Sequence, residues 1–138
     1  MRQLKSSSHG VYRLSYHLVL VTKYRFKSIN AAMLTDLEII TKELCEKWDC
    51  ELLEFSGEPD HVHVLFDAPP TVEPAKFINN LKTVTSRLIR KNHAAHLADF
   101  YRKPVFWTAS YALFTTGGAP LEVIKKYISG QKRPSEEL

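Results

Sequence analysis

The sequence predicts an α+β fold of the ferredoxin-like type, in which helices cover one face of an antiparallel sheet and leave the other face open. Strand-like segments alternate with helix-like segments in the order β-α-β-β-α-β-α. Only the turn Glu58-Pro59-Asp60 separates the second strand from the third, which predicts an antiparallel hairpin. With 138 residues the chain is long enough for a core, and we expect one domain over residues 1–138.

The first half of the chain supplies three predicted strands and one helix. Residues 11–22, VYRLSYHLVLVT, predict the first strand because they alternate and are rich in β-branched and aromatic residues. The next segment predicts the first amphipathic helix, because its apolar residues have helical spacing: Leu34, Leu37, Ile40, Leu44 and Trp48. CELLEFSG, residues 50–57, and HVHVLFDA, residues 61–68, predict the second and third strands.

The second half begins with a predicted helix, for which Pro74 is suited to the first turn. The apolar stripe of this helix consists of Phe77, Ile78, Leu81, Val84, Leu88 and Ile89. VFWTASYALFTT, residues 105–116, predicts one or two further strands. Gly117-Gly118 then interrupts the chain as a predicted hinge, and Pro120 opens an appended C-terminal helix.

Composition and charge narrow the possible classes of protein. No apolar run reaches membrane-spanning length, and the N-terminus lacks the apolar segment of a signal peptide, which predicts a cytoplasmic protein without membrane contact. A net charge of +4 favours an anionic partner such as nucleic acid. Cys45 and Cys50 match neither a CxxC redox pair nor half of a zinc site, and we interpret them as small, partly buried residues.

The third strand begins with two histidines on one face. Because side chains alternate along a strand, His61, His63 and Asp67 point one way, whereas Val62 and Val64 point toward the core. Two neutral imidazoles at this spacing are within reach of one divalent ion, but two ligands alone bind weakly and a third is needed. The alternative is that one or both histidines are structural.

The C-terminal helix offers candidates for the missing groups. Tyr127 and Gln131 lie four residues apart and therefore project from one helix face. A helix lying over the histidine face would bring a nucleophile and a third metal ligand to the pair. Each residue also has an ordinary explanation, since a tyrosine on an amphipathic helix usually packs and a glutamine is usually solvated.

Together these segments resemble a known family. DHVHVLF, followed by a basic helix, a Gly-Gly break and PLEVIKKYISGQ, is similar to the single-tyrosine HUH endonucleases, and more closely to the TnpA transposases of the insertion sequence 200/605 family. YHLVLVTKYR resembles the first strand of that family, and FWTASYALFTTGG resembles its late strands. The resemblance therefore covers nearly the whole chain, from residue 12 to residue 131.

The resemblance implies a role for each candidate. His61 and His63 match the HUH histidines, Tyr127 matches the catalytic tyrosine, and Gln131 matches the third metal ligand. The implied activity is metal-dependent cleavage and rejoining of single-stranded DNA at hairpin-marked transposon ends, through a 5′-phosphotyrosine intermediate that leaves a free 3′-OH. Mg²⁺ or Mn²⁺ is the expected cofactor. A homodimer is also implied, in which the tyrosine helix of one chain can act on the histidines of the other.

Basic residues indicate where the DNA would lie. The candidates are Lys23, Arg25, Lys82, Arg87, Arg90, Lys91, Arg102 and Lys103. As a set they suit a phosphate track beside the histidine face, although each residue alone could belong to a solvated surface. Candidates for stacking on unpaired bases, or for packing, are Tyr24, Phe26 and Tyr101. We interpret His17 as structural, and His93 and His96 as surface residues.

Three other functions fit parts of the sequence. The first is a domesticated, repeat-associated relative with the same chemistry that acts on chromosomal hairpins. The second is a non-catalytic ferredoxin-like module that binds nucleic acid, although the aromatic signature of an RRM is missing. The third is a metal hydrolase that uses the histidine pair, although no HxHxD motif is formed with Asp67.

Overall fold

The computed structural model describes residues 5–7, 10–12, 14–115 and 126–131. Its elements in chain order are β1 (Lys5–Ser7), β2 (Gly10–Tyr12), β3 (Ser15–Val21), α1 (Ala31–Lys47), β4 (Glu51–Glu58), β5 (His61–Asp67), α2 (Pro74–Asn92), α3 (Ala94–Leu97) and β6 (Ala112–Thr115). Residues 126–129 are helical, and we term residues 126–131 the tyrosine segment. Within the described ranges, no helix combines the length and the apolar character that crossing a membrane requires.

Four strands form one antiparallel sheet in the order β4-β5-β3-β6, which confirms the predicted ferredoxin-like fold. β3 is central, because it pairs with β5 on one side and with β6 on the other. In the β3–β5 register, Val19 lies opposite His63 and Val21 lies opposite His61. Directly opposite residues share a sheet face, so this register determines which side chains surround the histidines.

The helices α1 and α2 cover one face of the sheet, which we term the covered face. Five residues of the central strands that point to it are at most 2% exposed: Leu18, Leu20, Val62, Val64 and Phe66. Phe66 meets Phe77 of α2 with ring centroids 5.0 Å apart. Burial of large apolar side chains at this density is the main source of stability in a domain of this size.

A register shift in β4 decides which of its side chains reach the opposite, open face. The shift lies between Leu52 and Glu54. As a result, Leu52 and Phe55 both pair with residues of the covered face although they are an odd number of positions apart. Beyond the shift, Ser56 lies opposite His63 and therefore borders the histidine pair.

The predicted apolar stripe of α2 is confirmed in its main part. Its fully buried members are Phe77, Ile78, Leu81 and Ile89. Val84 and Leu88 are only partly buried, and Thr85 is buried in the stripe as well. The Thr85 hydroxyl donates to the carbonyl oxygen of Leu81 over 2.6 Å and accepts from Trp107 Nε1 over 2.9 Å, so its polar group is satisfied.

The strands at both ends of the chain differ from the prediction. Residues 11–22 do not form one strand, because β2 pairs with β1 in a separate two-stranded sheet and β3 begins only at Ser15. Residues 105–116 contribute β6 and an isolated bridge between Thr22 and Trp107. The short helix α3 was not predicted. Gly117-Gly118 and Pro120, the predicted hinge and helix start, lie outside the described residues.

Candidate active site

The open face of the sheet carries both histidines of β5, as the alternation of the strand predicts. Val62 and Val64 are buried on the covered face, whereas His61 and His63 are partly buried on the open face. The two imidazole rings lie 4.9 Å apart between centroids, with an interplanar angle of 86°. The pair is therefore adjacent in space as well as in sequence.

Each imidazole is oriented by a hydrogen bond at its Nδ1 atom. His61 Nδ1 donates to Asp60 Oδ1 over 2.7 Å. His63 Nδ1 lies 3.0 Å from Nε2 of His17, which belongs to the neighbouring strand β3. With both Nδ1 atoms engaged, Nε2 is the nitrogen through which each ring can bind a metal ion.

The surroundings of the histidines favour the neutral form of the rings. Burial lowers the pKa of His63 to about 4, and the neighbouring His61 and His17 add to this effect. Burial also lowers the pKa of His17, against the opposing influence of the Glu54 carboxylate. Near pH 7 the imidazoles of His63 and His17 are therefore neutral, which is the form that binds metal ions.

A small cavity adjoins His63 and His17 on the open face. Its volume is about 100 Å³, and it is lined by His17, Glu54, Ser56, His63 and Leu65. A cavity of this size has room for roughly three water molecules. A space open to small ligands therefore lies beside His63 and His17.

The tyrosine segment lies on the same face, against the residues that flank the histidines. Val19 and Val21, which lie opposite His63 and His61, form a buried apolar cluster with a residue of β6. The Tyr127 side chain packs against this cluster. One chain thus brings the predicted nucleophile and two predicted metal ligands to one face of its own sheet.

Two hydroxyl residues of the loop before β6 contact the functional groups of the tyrosine segment. Ser110 Oγ lies 3.0 Å from the Tyr127 hydroxyl, and Thr108 and Ser110 both donate to Gln131 Oε1 over 3.4 Å. Gln131 Nε2 donates to the carbonyl oxygen of Tyr127 over 3.3 Å. Burial raises the pKa of Tyr127, and the hydrogen bond with Ser110 opposes that shift.

The chemical types of the possible ligand atoms around the histidine pair can be compared with those that a divalent ion prefers. In the described part of the chain, no three His, Cys, Asp or Glu side chains are grouped as metal ligands. Asp67, which belongs to the same strand, is buried and accepts a hydrogen bond from the Ser15 hydroxyl. Gln131 Oε1 is an oxygen donor of the type that hard cations accept, and its 3.4 Å hydrogen bonds are long. By their chemical type, two imidazole nitrogens and one amide oxygen are donors that a divalent ion accepts.

Three residues beside these groups were not assigned to the site from the sequence. His17, interpreted as structural, contacts His63 on the open face. Two features of the sequence could have indicated this position. His17 is two residues from Val19 and therefore shares its face of the strand, and the first strand of a ferredoxin-like sheet is central. Asp60 was read only as a turn residue, although it directly precedes the first histidine. No feature of the sequence indicated Ser110, because its contact with Tyr127 depends on the conformation of the loop before β6.

The predicted phosphate track is divided between two layers of the fold. Since α2 packs on the covered face, four of the basic residues belong to the helix layer and not to the histidine face: Lys82, Arg87, Arg90 and Lys91. Lys82 Nζ donates to the carbonyl oxygen of Ala109 over 2.8 Å, and burial lowers its pKa. The exposed members are Arg87, Lys91, Arg102 and Lys103. Contact with DNA stays a prediction for all of them.

The aromatic candidates for base stacking are packed within the protein. Tyr101 is 9% exposed, and its hydroxyl donates to the carbonyl oxygen of Lys23 over 3.0 Å, so of the two alternatives, stacking on bases and packing, the structure favours packing. Tyr24 and Phe26 are partly buried and pack against the core, with ring centroids 5.3 Å apart. These three side chains support the segment that follows β3.

The remaining histidines and the cysteines have structural surroundings. His93 Nε2 lies 2.6 Å from Asp36 Oδ2, and His96 Nε2 donates to the carbonyl oxygen of Ser28 over 2.8 Å. Both histidines are partly buried, so their interpretation as surface residues is wrong. Cys45 and Cys50 are buried free thiols. None of these four residues borders the open face.

Sequence comparison gives the family. The chain belongs to the IS200-like transposases, because the sequence profile of that family, "Transposase IS200 like", matches residues 10–131. The transposase for insertion sequence element IS200 of Salmonella typhimurium is 29% identical over 127 residues, which cover 92% of this chain and 82% of the relative. The ISDra2 transposase TnpA of Deinococcus radiodurans is 27% identical over 129 residues, covering 94% and 91%.

Solved structures agree with this assignment. The crystal structure of a Deinococcus radiodurans R1 protein assigned as a transposase superposes with a TM-score of 0.85 and 28% identity, covering 94% of this chain and 98% of that one. A REP-associated tyrosine transposase bound to a REP hairpin has a TM-score of 0.54 and 9% identity, covering 95% and 70%. The second likeness supports the fold alone.

Proposed function

We propose that this transposase cleaves and rejoins single-stranded DNA through a covalent bond between Tyr127 and a 5′-phosphate, with His61, His63 and Gln131 as the ligands of a divalent metal ion. The observation that carries the proposal is the position of the tyrosine segment. Tyr127 packs against the apolar cluster of Val19, Val21 and Ala112, and the two valines of this cluster lie directly opposite the two histidines on the open face.

The chain's own groups account for the transfer step. Tyr127 Oη forms a bond to the scissile phosphorus and the bond from phosphorus to the 3′ oxygen breaks. The phenolic proton passes to solvent, and the 3′ oxygen takes up a proton. Because burial raises the pKa of Tyr127, the neutral phenol is the resting form, and Ser110, 3.0 Å away, orients its hydroxyl. The phosphodiester energy stays in the tyrosine link, so rejoining by the reverse step needs no nucleotide cofactor.

The ligand residues suit a weakly held hard cation. His61 and His63 present Nε2, and Gln131 presents Oε1, so the proposed ligand set contains no carboxylate or thiolate. Mg²⁺ or Mn²⁺ bound there would polarise the scissile phosphate and stabilise charge on the leaving oxygen. Asp60 and His17 fix the ring orientations through the two Nδ1 atoms, so the imidazoles need not reorganise when the ion binds.

The proposed substrate is a single strand that carries an imperfect hairpin. A flexible single strand, whose phosphate can bend toward Tyr127, suits a site on this face better than a stiff duplex does. We expect a single-stranded oligonucleotide with the hairpin of the element's own end to be cut in Mg²⁺, and its fully paired form to resist. Loss of cutting in EDTA and its return with Mn²⁺ would support the metal role. Equal cutting of the duplex, or full activity in EDTA, would contradict the proposal.

The working unit is proposed to be a homodimer. Two transposon ends have to be joined, and each chain supplies one nucleophile. Whether the tyrosine serves its own histidines or those of the partner is tested by mixing a His61→Ala/His63→Ala chain with a Tyr127→Phe chain. Recovery of cleavage in the mixture would indicate shared sites, because one complete site forms only across the interface. A mixture that forms heterodimers and remains inactive would indicate sites within one chain, as the described contacts of Tyr127 suggest.

A domesticated relative would have the same site and chemistry, so the protein alone does not separate the two biological roles. Genomic context does, since a mobile element places its transposase gene between its own hairpin ends. Imperfect palindromes on both sides of the gene support the transposition role. Scattered chromosomal palindromes without flanking ends support the domesticated role.

A further inference from the structure

Arg25 occupies a turn that no part of the proposed chemistry explains. The turn of residues 23–25 follows β3 directly, and two of its residues lie in the left-handed region, Tyr24 with φ 62° and Arg25 with φ 55°. For residues with a side chain, this conformation costs roughly 1–2 kcal/mol each. Such strain persists only where the surroundings determine the backbone, and it is concentrated at functional sites.

The surroundings of the turn are well defined. Thr22 donates from both its backbone nitrogen and its hydroxyl to the carbonyl oxygen of Asp60, over 3.0 and 3.1 Å. The Lys23 backbone nitrogen donates to the carbonyl oxygen of Phe106 over 2.7 Å, and the buried Tyr101 hydroxyl donates to the Lys23 carbonyl oxygen. The turn is therefore attached to the residue that precedes His61 and to the loop that leads to Ser110.

The guanidinium of Arg25 contacts both halves of the site. Arg25 Nε lies 4.0 Å from Asp60 Oδ2, and the other oxygen of that carboxylate accepts from His61 Nδ1. Arg25 Nη1 donates to the carbonyl oxygen of Ser129 over 3.1 Å. Ser129 is the last residue of the helical turn 126–129, and carbonyl groups at the end of a helix lack partners within it. A cation is favoured at that position.

We propose that Arg25 is a positioning residue, whose guanidinium joins the carboxylate that orients His61 to the backbone of the segment that carries Tyr127. The inference rests on the proposed function. It adds a physical link between the histidine pair, which would hold the metal ion, and the tyrosine segment, which carries the nucleophile. The planar fork of arginine can serve two partners at once, which a lysine ammonium does less well. Only 16% of the Arg25 side chain is exposed. The guanidinium, which the sequence analysis predicted to contact DNA phosphate, is therefore engaged in contacts within the protein.

Two measurements separate this role from phosphate binding. Hydrogen exchange of the metal-free, DNA-free protein reports on the tyrosine segment, whose Gly130 and Gln131 amides donate to the carbonyl oxygens of Lys126 and Ile128. The salt dependence of hairpin binding reports on phosphate contacts, since loss of one contact lowers the slope of log K against log salt by about 1. The variants are Arg25→Gln, Arg25→Lys, and Lys42→Gln as a control that removes one exposed charge from α1.

For Arg25→Gln we expect exchange in residues 126–131 to rise at least ~5-fold. Single-turnover cleavage at saturating DNA should fall by about 10- to 100-fold, as for other residues that orient metal ligands, while the salt slope stays unchanged. Arg25→Lys keeps the charge and serves as the second variant in case Arg25→Gln does not fold. It should lie between wild type and Arg25→Gln in both exchange and rate. Lys42→Gln should match wild type in all three measurements.

Unchanged exchange in residues 126–131 of a folded Arg25 variant would overturn the inference. A salt slope lowered by about 1, with a normal cleavage rate at saturating DNA, would overturn it as well and return Arg25 to the phosphate track. If the wild-type protein forms no bond to DNA, the proposed function fails instead. The exchange measurement still decides whether Arg25 holds the tyrosine segment.

Discussion

The covered and open faces of the sheet are built from alternate residues of the same strands, and they differ most clearly along β5. On the covered face, Val62, Val64 and Phe66 are at most 1% exposed and pack against the helices. On the open face, His61 and His63 are partly buried and hydrogen-bonded to polar partners. The comparison teaches that one strand can separate stability from chemistry by position alone, because neighbouring side chains point to opposite faces.

This separation has a cost on the open face. Imidazoles contribute less apolar burial than valine or leucine would at the same positions, and the low pKa of His63 shows that its charged form is disfavoured there. The covered face offsets the cost, since its side chains form a continuous core with both long helices. The site is therefore expected to tolerate substitution without loss of the fold.

The largest expected effects on cleavage and on stability come from substituting one residue on one face of the sheet at a time. We expect His63→Ala to lower cleavage at least ~100-fold, since even residues that only support metal ligands affect activity by 10- to 100-fold. Its free energy of unfolding should change by only about 1 kcal/mol, the value of a typical hydrogen bond. Phe66→Ala on the covered face should lose about 3–5 kcal/mol of stability. Its folded fraction should cleave at a rate close to that of wild type.

Urea unfolding and single-turnover cleavage of the same preparations test this contrast. Both variants should be assayed at a temperature at which their folded fractions are known. A His63→Ala protein that is as unstable as Phe66→Ala, or one that still cleaves, would show that the two faces are not separate in the way described.

A smaller effect is expected from the thiols of the covered layer. Burial raises the pKa of Cys45 to about 12 and that of Cys50 to about 11, both from 9.0. Because the folded pKa of each thiol lies above the unfolded one, the contribution of the thiols to the free energy of unfolding is fully present below pH 9 and should decrease as the pH rises toward 11. Urea unfolding from pH 7 to pH 10.5 measures this decrease, and Cys45→Ala should reduce it. A profile that is flat to pH 10.5, or one with the same slope in Cys45→Ala, would contradict buried thiols.

The alternation of β5 was predictable because a strand's period is a local property of the sequence. The histidine face follows from it and is confirmed. The partners of the histidines depend on which strands become neighbours and in which register, so His17 was interpreted as structural and was not assigned to the site. The left-handed turn at Arg25 was not predictable, because no glycine or asparagine marks it and only tertiary contacts hold it.

The central claim is that the tyrosine on the open face becomes covalently bonded to DNA. The chain has six tyrosines, and only Tyr127 is expected to react. The most direct measurement is protease digestion of the protein after reaction with a labelled hairpin oligonucleotide in Mn²⁺, followed by mass spectrometry of the nucleotide-bearing peptide. The account predicts a single modified peptide that contains Tyr127, and no adduct from Tyr127→Phe, while that variant still binds the hairpin with nearly unchanged affinity. An adduct on another residue, or one that persists in Tyr127→Phe, would contradict the account.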